Sequence, residues 1–276
     1  MTTSLQALLA FARREMDPLD ARLLLQHATG LSHGEVIADP QRVIGESEIK
    51  LFNFLVARRM RGEPVSRIIG AREFYGREFL VTPAVLDPRP DTETLIDEAL
   101  MLMGQAPRIL DLGAGSGAII ITLLAERADA LAVAVDISED ALAVASANAS
   151  ALGVASRLSF IQGDWFSAVV GRFDLIISNP PYIVAATIAT LEPEVREFDP
   201  RLALDGGADG LGAYRQIAAG AMAHLATGGH VIVEIGAGQE NEVAAIFASA
   251  GFVLVSTRRD LGGHIRCLSF CGQSQN

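Results

Sequence analysis

Four consecutive residues, Asn179-Pro180-Pro181-Tyr182, combine rigidity with hydrogen-bond acceptors in a pattern suited to chemistry at an –NH2 group. Each proline fixes its own φ and restricts the residue before it, so the Asn179 side chain and the Pro180 carbonyl are held in place. Both oxygens are acceptors, and together they can receive both protons of a planar –NH2 group. Such a pair selects a nitrogen whose lone pair is otherwise delocalised, in a side-chain amide or on a nucleobase. Tyr182 adds a face against which a flat group can stack. A second constellation is Asp111-Leu112-Gly113-Ala114-Gly115-Ser116-Gly117, whose glycines let the backbone turn sharply and approach a ligand closely. Its G-x-G-x-G spacing is one residue shorter than that of dinucleotide binders, so no pyrophosphate cradle is implied. Asp136, 19 residues beyond Gly117, can accept two hydrogen bonds from a ribose diol. Its plainer role is a helix cap, for which Ser138 is better placed. Asp164-Trp165 holds the chain's only tryptophan, which suits an adenine wall or a core position equally well.

These residues need a scaffold that brings strand ends together. After Pro107 the chain alternates strand-like and helical patterns. The strand-like segments are 108–112, 131–136, 158–162, 173–178, 230–235, 252–256 and 265–270, and the main helical patterns are 117–127, 138–152, 210–225 and 238–250. Alternation of this kind predicts an α/β fold with a mostly parallel seven-stranded sheet covered by helices on both faces. The stretch joining the last two strands is too short for a helix, so those two should pair antiparallel. Each chemistry-bearing segment then falls just after a strand. Residues 4–62 read instead as a small helical bundle. Leu5, Leu8, Leu9 and Ala12 recur at helical spacing, Asp17-Pro18 opens a second helix, and Ser47 opens one that runs to Arg61. Between them, VSRII (65–69) and EFLV (78–81) read as strands punctuated by Gly70 and Gly76, which predicts a hairpin linker. The expected division is therefore a helical domain over 1–62, a linker over 63–86 and a catalytic domain over 87–276.

With half its 276 residues apolar, the chain can bury a large core, which excludes a disordered or fibrous protein. The net charge of −11 is unevenly placed. Residues 1–80 carry 11 basic against 10 acidic side chains, and residues 81–276 carry 11 against 23. An acidic catalytic part repels a phosphate backbone, which counts against a nucleic-acid partner. Two cysteines, Cys267 and Cys271, are too few for a disulfide framework and fit a reducing compartment as packed thiols. The five histidines show no ligand spacing, so no metal site is expected. With neither a signal pattern nor an apolar run of membrane length, the expected location is cytoplasmic, away from the membrane.

The short glycine loop resembles that of class I (Rossmann-like) methyltransferases, where it holds the methionine part of S-adenosylmethionine. Over nearly its whole length the chain resembles the release-factor glutamine methyltransferase (PrmC/HemK) family. The likeness is carried by residues 58–64 (RRMRGEP), 70–76 (GAREFYG), 88–93 (PRPDTE), 179–182 (NPPY), 203–211 (ALDGGADGL), 234–236 (EIG) and 260–263 (DLGG). It departs from the family pattern at Ser66-Arg67, Tyr75 and Asp87, in or near the linker. The resemblance implies N5-methylation of the glutamine in the Gly-Gly-Gln motif of class I peptide-chain release factors, with S-adenosyl-L-methionine as donor and S-adenosyl-L-homocysteine as product. It also implies that Gly113, Ala114, Gly115, Ser116, Gly117, Asp136, Asp164, Trp165 and Asn179 bind the cofactor. Asn179, Pro180, Pro181 and Tyr182 would hold the glutamine, with Asn179, Pro180 and Tyr182 as the catalytic set and the helical domain recognising the substrate.

Methyl transfer from a sulfonium is an in-line displacement, so positioning carries most of the catalysis and no strong base is required. Acceptors on the amide protons would stabilise the positive charge that develops on nitrogen. Two related readings share these motifs: a ribosomal-protein glutamine methyltransferase, and a nucleic-acid amino-methyltransferase acting on adenine or guanine. Net acidity and the lack of a long basic or aromatic stripe count against the second. A nicotinamide-dependent oxidoreductase fails on the glycine spacing and leaves Asn179 to Tyr182 unexplained.

Overall fold

The computed structural model describes residues 3–273, which form two compact units. The first comprises the described residues up to 71 with the segment 192–198. A short ladder pairs β1 (Thr3–Ser4) with β2 (Val43–Ile44) around helices α1 (Leu5–Ala12), α2 (Pro18–Thr29) and α3 (His33–Ala38). The unit continues through α4 (Glu46–Arg59) and α5 (Val65–Ile69). Each helix starts for a local reason. Ser4 and Asp17 cap α1 and α2 through their side chains, and Ser32 and Glu35 form a capping box on α3. Helix α4 begins one residue before Ser47, because the Glu48 carboxylate accepts the Gly45 N–H at 2.8 Å. Leu5, Leu24, Leu25 and Phe52 are wholly buried at the centre of this bundle.

The strand expected over VSRII is a helix. Its β-branched residues favour extended backbone on propensity alone, but Pro64 opens the segment and Gly70, at φ +75°, closes it with a left-handed cap. Val65, Ile68 and Ile69 recur at helical spacing and pack into the bundle. Tertiary burial overrides the weaker local preference. The arginines of the 58–64 motif are mostly tied up in ion pairs. Arg58 pairs with Glu63, and Arg59 holds Asp20 and Glu194 at 2.6 Å each, so Arg61 alone stands exposed. Glu194 lies on α9 (Pro193–Phe198), within the segment that joins this unit.

The second unit begins at Arg72, inside the hairpin of β3 (Ala71–Phe74) and β4 (Arg77–Leu80). Tyr75 and Gly76, at φ 51° and 72°, form the two-residue turn whose twist suits a hairpin. Helix α6 (Glu93–Leu102), which the sequence pattern left unassigned, precedes the main sheet. Its strands are β5 (Arg108–Leu112), β6 (Leu131–Asp136), β7 (Leu158–Gln162), β8 (Phe173–Ser178), β9 (Leu225–Glu234), β10 (Phe252–Arg259) and β11 (Ile265–Gly272). The order is β10-β11-β9-β8-β5-β6-β7, parallel except for the antiparallel pairs of β11 with β9 and β10.

Helices α7 (Ala118–Glu126), α8 (Glu139–Ala151), α10 (Arg201–Leu204), α11 (Gly212–His224) and α12 (Glu240–Ser249) complete the unit. Two apolar layers sandwich the sheet: one holds Phe74, Phe79, Leu95 and Ile120, the other Phe173, Tyr214, Phe247 and Phe270. From β5 the chain winds outward to β6 and β7, then returns to β8 on the other side of β5. This reversal opens a crevice at the C-terminal ends of β5 and β8. Among the described residues no helix is long and apolar enough to cross a membrane.

Candidate active site

Both chemical motifs leave the sheet at that reversal. The glycine loop follows β5, and Gly113, Gly115 and Gly117 take φ of 74°, 54° and 78°. A side chain would strain the turn at each. The amides of Gly113 and Ala114 bond the Val135 carbonyl at the end of β6, which holds the loop against its neighbour. Asp136 braces the same loop: its two carboxylate oxygens accept the N–H groups of Gly115 and Ser138, each at 2.9 Å. Helix α8 is capped by Ser138, leaving the Asp136 lone pairs beyond these bonds for a ligand. Asn148, buried on α8, donates to the Ser116 carbonyl at 2.9 Å and pairs with the Leu80 backbone, tying the hairpin to the loop. Gly117 caps α7, and a Cβ there would fall 2.6 Å from the Ile121 side chain.

Asn179 follows β8, directly across from the loop. The Ser178 hydroxyl donates to the Leu112 carbonyl at 2.7 Å and fastens the two strand ends. The Asn179 amide group donates through Nδ2 to Thr92 Oγ1 at 3.1 Å, which leaves its carbonyl oxygen as a free acceptor on a residue that lines the crevice. The backbone of the next residues is clamped by the loop over 205–212. Gly206 donates to the Ile183 carbonyl at 2.8 Å, and Gln239 Nε2 donates to the Tyr182 carbonyl at 3.2 Å. A Cβ on Gly206 would come within 2.9 Å of Pro181 O, and one on Gly210 within 2.6 Å of Tyr182 O. These glycines are required by close backbone approach.

The crevice is a cavity of about 570 Å³, of the size that takes a small-molecule cofactor. Its wall includes Gly113, Ala114, Gly115, Ser116, Asp136, Asp164, Trp165, Asn179 and Pro181. Trp165, at φ 49°, is half-buried and packs on the second apolar layer while facing the cavity, so both roles open to it from sequence are met. Gly117, Pro180 and Tyr182 are not part of the wall. The Tyr182 ring packs against the second layer, and its hydroxyl points to Glu234 Oε1 at 3.4 Å. The stacking face expected of Tyr182 is thus turned inward in this conformation, where apolar burial and a hydroxyl acceptor both favour it.

Sequence reasoning passed over several residues here. Among the described residues Arg89 is the sole cationic one of the cavity wall, against Asp87, Asp136, Asp140, Asp164 and Asp205, so the field favours a cationic ligand. Its guanidinium holds the buried Asp199 at 2.6 Å. Asp111 is wholly buried with no hydrogen bond of ordinary geometry to either carboxylate oxygen. Burial together with the nearby Asp136 charge pushes its pKa up to about 8, with the Ile120 N–H acting the other way. Glu234, at the end of β9, is 2% exposed. Burial pushes it up to about 7, while the nearby Thr92 hydroxyl and the Arg266 charge act the other way. Asp111 stood inside the glycine motif and Glu234 inside EIG, but the pairing of each with another strand end was not visible in one dimension.

Residues 3–70 match the family described as PrmC N-terminal domain, and residues 90–193 match that described as Methyltransferase small domain. A release factor glutamine methyltransferase of Agrobacterium fabrum is 48% identical, covering 92% of this chain and 90% of its own length. One of Rhodospirillum rubrum is 50% identical over 90% of this chain and 77% of its own. Among solved structures, a methyltransferase of Pyrococcus furiosus superposes with a TM-score of 0.54 at 17% identity, over 78% of this chain and 95% of that one. A ribosomal protein L11 methylase of Lactobacillus delbrueckii subsp. bulgaricus gives 0.51 at 20%, over 73% and 89%. At such identities these two support the fold alone.

Proposed function

The chain belongs to the release factor glutamine methyltransferase family, and from that membership we propose that it methylates the side-chain amide of the Gly-Gly-Gln glutamine in class I peptide-chain release factors. It is an S-adenosylmethionine-dependent transferase with a class I, Rossmann-like catalytic domain. The cavity fits that cofactor. Its volume, the strained glycine turn that exposes backbone, a carboxylate at the end of β6 and an acid-rich wall match a ribose-bearing molecule with a positive sulfonium. Gly113 to Ser116, Asp136, Asp164 and Trp165 would hold it, with Asn179 at the reacting end and Gly117 setting the start of α7. When bound, S-adenosylmethionine supplies an electrophilic methyl group.

The chain's own part is to orient the nitrogen. Asn179 Oδ1, in the crevice wall, accepts one amide proton of the glutamine. The Pro180 carbonyl, outside that wall in this conformation, would take the second as the glutamine enters the turn. The fixed strand end keeps Asn179 from following a misplaced substrate. As charge grows on nitrogen both bonds strengthen, which stabilises the transition state more than the ground state. The proton leaves after transfer. Tyr182 would meet the substrate only by turning its ring outward; in this conformation it supports the turn from behind. The observation that carries the reading is the Asn179 amide, anchored by its nitrogen to Thr92 so that its oxygen serves the crevice.

We place substrate recognition in the N-terminal helical unit, in the reducing cytoplasm where release factors work. Labelled methyl transfer to purified release factor, ribosomal protein, DNA and tRNA in parallel tests the assignment. Label is expected in release factor alone, and equal or greater labelling of DNA, tRNA or ribosomal protein overturns it.

A further inference from the structure

Thr92 stands at the N-terminus of α6, where a threonine usually turns its hydroxyl back to cap the helix, but here it makes no capping bond. Its side chain is 4% exposed and receives the Asn179 amide instead, at 3.1 Å across 87 residues of sequence. Glu234 lies near enough for the Thr92 hydroxyl to lower its pKa, but the two make no hydrogen bond in this conformation, and the buried Oε2 of Glu234 stands without a partner. Strand register brings Glu234 beside Asn179. Ser178 on β8 pairs with Val233 on β9, so Asn179 and Glu234 are the next residues at adjacent parallel strand ends. Glu234 Oε1 takes the Tyr182 hydroxyl at 3.4 Å.

A hydroxyl has one proton to give, and an ionised carboxylate can only accept. We propose that Thr92 and Glu234 are positioning residues for methyl transfer: the Glu234 carboxylate takes the Thr92 proton, the Thr92 oxygen then accepts from Asn179 Nδ2, and Asn179 presents its carbonyl oxygen to the substrate amide. This rests on the reading that an –NH2 group is the nucleophile. A protonated Glu234 reverses the chain of donors. It donates to Thr92, Thr92 donates to Asn179 Oδ1, and the amide turns its NH2 toward a substrate that is itself a donor.

Methyl transfer should therefore rise with pH as Glu234 loses its proton, near the value of about 7 to which burial brings it. The other groups facing Glu234 are Arg266 on β11, Asp91 and Thr92 ahead of α6, Tyr182, Tyr214 on α11 and Cys267 on β11. Burial moves Tyr182, Tyr214 and Cys267 upward, away from neutrality, and Arg266 stays charged. Asp111 titrates higher, beside the glycine loop, and is separated from Glu234 by the variants below.

The test is single-turnover methylation of release factor from about pH 5.5 to about pH 8.5 by the parent, Thr92→Val, Thr92→Ser and Glu234→Gln. Calorimetric affinities for S-adenosylhomocysteine and for release factor, and melting temperatures, are measured beside it. Thr92→Val should lose roughly 10- to 100-fold in rate, the scale of a misplaced reacting group, with both affinities near parental. Thr92→Ser should recover most of the loss. Glu234→Gln should lie below the parental plateau and lose the rise near neutrality. Thr92→Val at the parental rate, or Glu234→Gln with the parental pH profile, overturns the proposal while leaving the functional reading intact. A parent that transfers no methyl group to release factor overturns both.

Discussion

Replacing Asn179 by alanine separates orientation from folding, because the side chain has two distinct jobs. Within the protein it makes one bond, from Nδ2 to Thr92 at 3.1 Å. Losing a neutral hydrogen bond of this kind costs about 1 kcal/mol of stability, and Thr92 keeps Glu234 nearby. For a chain of this size that lowers the melting temperature by about 2–4 °C. Toward the substrate, Oδ1 is a preorganised acceptor where charge develops, and removing one such bond costs about 2.7–4 kcal/mol of transition-state stabilisation. Asn179→Ala should therefore slow single-turnover methylation by roughly 10²–10³, with a folded protein and a smaller change in cofactor affinity. Asn179→Asp keeps an acceptor oxygen and should retain more activity than alanine. Rapid-quench measurement at saturating cofactor reads the step directly. Asn179→Ala at near the parental rate, with release factor bound normally, refutes the orientation argument.

Asp136→Ala should weaken S-adenosylmethionine binding, by roughly 1.5–3 kcal/mol if its carboxylate serves the ribose. The glycine loop should loosen as well, since Gly115 and Ser138 lose their acceptor. Calorimetric titration with unchanged affinity removes Asp136 from the site. Gly210→Ala puts a Cβ 2.6 Å from Tyr182 O at a φ of +75°, so the clamp must shift, and methylation should fall far more than cofactor affinity. Parental activity in that variant would show that the clamp does not hold the Asn179 turn. Asp111 binds its proton more tightly folded, at about 8, than at its ordinary 3.8, so its contribution to stability is lost as pH rises between those values. Asp111→Asn should lessen the drop in melting temperature between about pH 5 and about pH 8, and an unchanged drop contradicts this.

The first four strands of the sheet were legible because each is a short, mainly apolar run that ends at or just before glycine, aspartate or asparagine. The first four end where the pattern places them, at Leu112, Asp136, Gln162 and Ser178. The candidate site residues stand where these strands stop: Gly113 and Asn179 directly follow β5 and β8, Asp136 ends β6, and Trp165 lies three residues past β7. VSRII misled because β-branched residues favour strands locally, whereas Pro64, Gly70 and burial of Ile68 act through context. Helix α6 escaped because its start depends on Thr92, whose hydroxyl serves Asn179 and leaves no capping signature. The Tyr182 ring direction and the meeting of Asn179 with Glu234 depend on strand register, which no single stretch of sequence encodes.

The central claim is transfer to one particular amide nitrogen. Release factor incubated with this protein and S-adenosylmethionine, then digested and sequenced by mass spectrometry, reports where the methyl group lands. A gain of one methyl on the glutamine of the Gly-Gly-Gln peptide is expected, absent when that glutamine is replaced by glutamate. A methyl group on any other residue, or undiminished incorporation into the glutamate variant, contradicts the account.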